Sequence, residues 1–267
     1  MSAPATALRR DRWIFSGGIA LAALVAWFYI WRDARRMNLS GACECAGMKM
    51  GGPESGSWPV ATLLPLFIMW SVMMVAMMLP SAAPMILTFA SVMRNRRHLA
   101  RPYVPVVVFV AGYITVWCAF SAVAAVGQWF LHRHALLSPM MAGVSAGLGG
   151  LLLLGAGVFQ FTPLKHACLT HCRAPLEFIL TRWREGGRGA FQMGLEHGMF
   201  CTGCCWALMC LLFVIGVMNV VWIALLTMLV VLEKTLPRRL EISSTIGLFL
   251  IAWGTWVFFR GFLQGQA

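Results

Sequence analysis

The chain alternates long apolar runs with short basic stretches, and the runs match the thickness of a bilayer better than the elements of a soluble core. The first covers residues 14–31 and follows Arg9, Arg10 and Arg12. Such a start resembles a secretory leader. The bulky Trp27-Phe28-Tyr29-Ile30-Trp31 offers no small-residue cleavage site, so an uncleaved span is predicted. A polar loop is predicted over residues 32–57. The run 58–93 then has no charge for 36 residues. Wholly helical, that is about 54 Å, well beyond the ~30 Å of a hydrocarbon core. Pro80 and Pro84 stand where the excess begins. They predict a span over residues 59–79, a kink, and a helix running out into Arg94, Arg96 and Arg97. A re-entrant hairpin is the alternative.

Residues 104–131 predict a third span and 140–161 a fourth, opened by Ser138-Pro139 and lined by Gly143, Gly147 and Gly150, which permit close helix packing. Residues 198–232 are again uncharged, 35 in all, with turn residues at 216–219. Two spans are predicted there. The first needs to begin near Phe191, which draws Glu196 and His197 to the membrane boundary. Both Glu196 and Glu233 read either as ion-pathway carboxylates or as boundary residues. Residues 242–259 make a seventh span. The predicted fold is an all-α integral membrane protein of about seven transmembrane helices. Residues 1–57 form an N-terminal anchor with an outer loop, and 58–267 a polytopic helical metal-binding domain.

Charge orients this arrangement. With seven spans, 15 of the 21 Lys and Arg fall on the side of the N-terminus and 6 on the other. The N-terminus is therefore predicted to be cytoplasmic. Arg32, Arg35 and Arg36 run against the rule, and two crossings within residues 58–93 would invert everything after them. Composition agrees: 60% of residues are hydrophobic and 11% charged, against about 25% charged in a soluble domain. Mean hydropathy is +0.77. The net charge of +12 belongs to membrane flanks and needs no nucleic acid. The chain has two Asp, Asp11 and Asp33, which argues against hydrolysis by paired aspartates.

Chemistry concentrates in the nine Cys, which are not spaced as a disulfide framework. Thr162-Pro163 predicts a helix start and Pro175 its end. On that helix Cys168, His171 and Cys172 share a face and His166 does not. At 100° per residue, His197, Cys201, Cys204 and Cys205 fall within an arc of about 100° in the first turns of the fifth span. The predicted topology brings both groups to the cytoplasmic face. Thiolates with imidazole suit Zn(II), and thiolate-rich sites suit Cu(I) or iron–sulfur clusters. Thiol–disulfide exchange and plain packing are the other readings of these residues. Packing is the reading for Cys118 and Cys210.

The second span holds five Met in ten residues, 69–78. Met73, Met74, Met77 and Met78 read as packing or as a thioether path for Cu(I). In the outer loop Cys43, Cys45, Met48 and Met50 are a candidate outer soft-metal site. His132 and His134 form a weak second pair.

These motifs resemble a known family. Trp70-Ser-Val-Met73-Met74-Val-Ala-Met77-Met78-Leu-Pro80, Pro84-Met85, Pro163-Leu-Lys165-x-x-Cys168-Leu-x-x-Cys172-Arg173-x-Pro175, Gly194-x-x-His197-Gly198-x-x-Cys201-x-Gly203-Cys204-Cys205-Trp206-x-Leu-Met209, Met218-Asn219 and Glu233-Lys234 look like the bacterial family called domain of unknown function 2182. That family is described as a predicted metal-binding integral membrane protein. The resemblance covers roughly residues 60–260, and implies a bacterial cytoplasmic (inner) membrane and a metal but no reaction. The Cys43/Cys45 loop lies outside it.

The function expected is metal handling rather than enzymatic turnover. A soft ion, copper ahead of zinc or iron, would be held by Cys168, Cys172, Cys201, Cys204 and Cys205 with His197 and His171, and delivered onward. The expected partners are the lipid bilayer and a metallochaperone or a larger membrane complex. A thiol–disulfide or quinone-linked oxidoreductase is one alternative. A structural or assembly subunit of a membrane enzyme is another.

Overall fold

The structure is a computed structural model and describes residues 3–45, 60–95, 103–133, 144–236 and 242–264. Every helix or strand-length element within them is helical. Helix α1 spans Ala3–Cys45, α2 Leu63–Asn95, α3 Tyr103–Arg133, α4 Ala146–Phe159 and α5 Pro163–Arg173. Then follow α6 Pro175–Thr181, α7 Gly186–Cys210, α8 Leu212–Ile215, α9 Val220–Thr235 and α10 Ile242–Gln264. Helices are what an apolar solvent demands, because every backbone N–H and C=O is satisfied within the segment.

Five stretches are long and apolar enough to cross a membrane: Trp13–Arg36, Val60–Arg94, Val104–Arg133, Gly186–Ile215 and Ile242–Gly261. The pair α4 and α5, bent by 65° at its break, makes a sixth if it is one broken span. The predicted seven therefore become five or six. The missing one is α9, whose 16 residues reach about 24 Å. Residues 63–95 form one continuous helix through both Pro80 and Pro84, so the re-entrant hairpin is not formed. Helix α1 runs on through Cys43 and Cys45 where a loop was expected. Their side chains, with Met48, Met50, His134 and the Ser138-Pro139 start, lie outside the described residues.

Local signals held where they rest on backbone chemistry. The Thr162 hydroxyl accepts from the Lys165 amide and Pro163 takes the first turn of α5, which stops before Pro175. Gly216 adopts φ +102°, and Asn219 caps α9 by accepting from the Trp222 amide.

Two glycine seams hold the bundle. Between α3 and α7, a methyl at Gly112 would meet the Phe191 carbonyl and one at Gly194 the Phe109 carbonyl. Between α4 and α10, a methyl at Gly150 would lie 2.8 Å from the Phe258 backbone nitrogen, and one at Gly157 2.9 Å from the Gly247 carbonyl. Close backbone approach is how helices associate where lipid removes the hydrophobic drive. Helix α2 packs between α1 and α3 and also meets α9. Trp70, Met73, Met74, Met77 and Met78 are all buried. Outward-facing residues such as Leu21, Leu24, Val107, Val123, Leu248 and Phe249 leave an apolar surface suited to lipid.

One buried ion pair ties α5 to α9. Lys165 Nζ lies 2.7 and 2.9 Å from the two carboxylate oxygens of Glu233 and also donates to Gln160 Oε1. Ser243 of α10 donates to Glu233 Oε1 at 3.0 Å, and Arg173 Nε donates to the Glu233 carbonyl at 2.6 Å. Glu233 is thus neither a free pathway carboxylate nor a snorkelling one. Glu196 pairs with Arg182 and Arg184.

Candidate metal centre

Helix α7 supplies three thiols from one face. Cys201, Cys204 and Cys205 are buried, at 0, 1 and 1% exposure, with His197 one turn before them. Because α7 starts at Gly186, Cys201 stands about 22 Å along it, near the middle of the helix rather than in its first turns. Helix α5 lies against this face and adds Cys168 and Cys172, each 9% exposed. The Cys172 thiol interacts with those of Cys201 and Cys204, and the Cys205 thiol with the same two. Cys168 sits over Gly203, where a methyl group would come 2.8 Å from its sulfur. Four buried thiols from two helices therefore lie near one another, with a fifth at the margin. None of these five is in a disulfide.

The third wall is α2. Met78 places its sulfur 4.0 Å from the Cys205 sulfur. The Tyr113 hydroxyl of α3 donates to the Met78 carbonyl at 3.0 Å and lies 3.0 Å from Cys201 Sγ. Lys234 of α9 reaches in from the far side, its Nζ 2.9 Å from Cys201 Sγ and 2.9 Å from Ser81 Oγ. Tyr113, Ser81 and Lys234 were not among the residues singled out from sequence for this centre. A Lys at the end of an apolar run reads as a boundary residue, and the only other signal was its Glu233-Lys234 context.

The two histidines part company. His197 is buried among Phe109, Tyr113 and Phe178, with ring centroids 6.2, 5.7 and 5.6 Å away, and its Nδ1 has no hydrogen-bond partner. His171 stacks flat on Phe200 at 4.2 Å, and its Nδ1 lies 2.9 Å from the Ala167 carbonyl of its own helix. Sharing a helical face with Cys168 and Cys172 has not put it among the thiols. Cys118 and Cys210 are half-buried elsewhere.

Among the described residues, no three His, Cys, Asp or Glu side chains already surround a common metal position. The reason is visible locally. Cys204 and Cys205 turn their sulfurs onto the Cys201 carbonyl, at 3.1 and 2.9 Å. Such bonds satisfy protonated thiols in a dry interior, and rotation about one side-chain bond releases each sulfur. The donor types gathered here, thiols beside a thioether, are those that suit soft metal ions.

Residues 67–257 match the family model PpoB2, described as copper chaperone. The chain belongs to that family. Membership implies copper as the ion bound, in agreement with the donor chemistry. The match takes in all of α3 to α9 and leaves out Cys43 and Cys45. The resemblance to a predicted metal-binding membrane family is compatible with this copper chaperone family, and the match replaces an unspecified metal with copper. No curated protein and no solved structure matches the chain.

Proposed function

We propose that this copper chaperone family protein holds Cu(I) in the thiol cluster between α5 and α7 and passes it to a soft-donor partner. The ligands are drawn from Cys172, Cys201, Cys204 and Cys205, with the Met78 thioether beside them. Cys168 lies where an ion would enter or leave, and His197 is a reserve donor behind Cys201. The observation that carries this reading is the meeting of thiols from two helices that are separate in sequence. Packing alone requires no such meeting, and a lone Cys in a span would not produce it. The buried Met73, Met74 and Met77 extend a thioether lining from Met78 along α2. We further propose the cytoplasmic membrane of a bacterium, with the N-terminus and its Arg9, Arg10 and Arg12 inside. Residues 1–57 then act as an anchor bearing an outer Cys/Met site, and 58–267 as the metal-binding domain.

The test is elemental analysis of the protein purified without added chelator, beside a Cys204→Ser/Cys205→Ser double variant, counting copper, zinc and iron. Near-stoichiometric copper in the wild type, lost in the variant, is the expected result. Equal copper in both, or none in either after anaerobic Cu(I) loading, would overturn the site.

A further inference from the structure

Lys234 poses an electrostatic problem. It is 8% exposed and lies at the end of an apolar helix, and among the described residues no carboxylate pairs with it. The adjacent Glu233 is committed to Lys165 at 2.7 Å and to Ser243 at 3.0 Å. Among the described residues, the groups within electrostatic reach of Lys234 that can carry negative charge include the thiols of Cys172, Cys201, Cys204 and Cys205 and the Tyr113 hydroxyl. Its direct contacts are Cys201 Sγ and Ser81 Oγ. A cation buried without a counter-charge is strongly disfavoured, so the thiol cluster and the ammonium belong to one electrostatic unit.

Resting on the copper site proposed above, we propose that Lys234 is its specificity-determining residue: its positive charge lets a monovalent ion sit between two thiolates with no net charge left in the interior. Two thiolates and Cu(I) together carry a single negative charge, and the ammonium cancels it. A divalent ion between the same two thiolates is already neutral with them, which leaves the ammonium as an uncancelled positive charge in the interior. That ion must recruit a third thiolate and abandon the low coordination that soft monovalent ions accept. Neutral donors complete the Cu(I) shell at no electrostatic cost, and Met78 is in place to be one. Removing the ammonium reverses the balance, since two thiolates are then neutral with a divalent ion.

The experiment measures Cu(I) and Zn(II) affinities of the full chain in detergent under anaerobic conditions, against chromophoric chelators. Copper X-ray absorption reports the sulfur shell. In Lys234→Met the Cu(I) affinity should fall by about 10- to 100-fold while Zn(II) affinity holds or rises. Lys234→Arg, which keeps the charge, should restore the wild-type preference. The ratio of the two affinities does not depend on the fraction of protein that is folded. Lys234→Gln serves if the Met variant does not purify. A wild-type Cu(I)/Zn(II) ratio in Lys234→Met and Lys234→Gln overturns the inference, as does an Arg variant that behaves like Met. A variant with Cys172, Cys201, Cys204 and Cys205 all changed to Ser separates the two readings. Copper retained there removes the site itself. Copper lost there, with an unchanged ratio in Lys234→Met, removes only the role of Lys234.

Discussion

Glu233→Gln removes one charge and almost no volume from the most buried ion pair among the described residues. Lys165 and Glu233 are 0 and 2% exposed, and both carboxylate oxygens lie within 2.9 Å of the Lys165 ammonium. The amide that replaces them keeps one acceptor for Lys165 or Ser243. It cannot balance the charge. Breaking a buried pair from one side costs about 3 to 5 kcal/mol, and the remaining acceptor places this case near 3. That is about a hundredfold in the ratio of folded to unfolded protein. Denaturant unfolding in mild detergent, followed by tryptophan fluorescence, reads it directly. A Lys165→Met/Glu233→Leu double variant should recover much of the loss, because an apolar pair of similar size leaves no orphaned charge. The pair also fastens α5, so Glu233→Gln should speed alkylation of Cys168 and Cys172 in the metal-free protein. A single variant within about 0.5 kcal/mol of wild type, the range of surface changes, would refute the reasoning. So would a double variant less stable than the single.

Gly194→Ala should destabilise the protein in the same assay, because its methyl would press on the Phe109 carbonyl. Gly127→Ala on α3 meets nothing within 4 Å and should be neutral or stabilising by up to about 1 kcal/mol through helix propensity. The reverse order would show that the α3–α7 seam is not closely packed. Copper affinity should fall as pH is lowered, since thiols release protons when they bind the ion, by about tenfold per pH unit for each proton released. Chelator competition across a pH series checks this, and a flat profile would point away from thiolate ligands.

What the sequence disclosed follows from what periodicity carries. Apolar runs place spans, and the backbone preferences of Thr162-Pro163, Gly216 and Asn219 place helix ends, because these depend on neighbours along the chain. The face shared by His197, Cys201, Cys204 and Cys205 was legible for the same reason. Which other helix that face meets was not. Lys234 and Ser81 are 153 residues apart yet in contact, and Cys201 is 33 residues from the same ammonium. His171 shows the limit from the other side: the correct helical face still ended on Phe200. The length of α9 was over-read because uncharged residues on both sides of the Gly216 turn look like membrane whether or not they form helix.

The glycine seam between α3 and α7 has a mechanical consequence for the centre. Backbone against backbone leaves no side chain to yield, so the two helices move as one stiff beam. Gly198, within van der Waals reach of Val116, continues that seam to within a turn of Cys201. Cys201, Cys204 and Cys205 inherit its rigidity, and so does the spacing from Cys201 to Tyr113. The wall made by α5 is mounted differently, between two proline-marked breaks in the helical path and by side-chain contacts alone. The two walls therefore differ in compliance. On the function proposed above, a cargo held between them would be gripped by a fixed jaw and a yielding one, and exchange with an outside acceptor would begin at the yielding side.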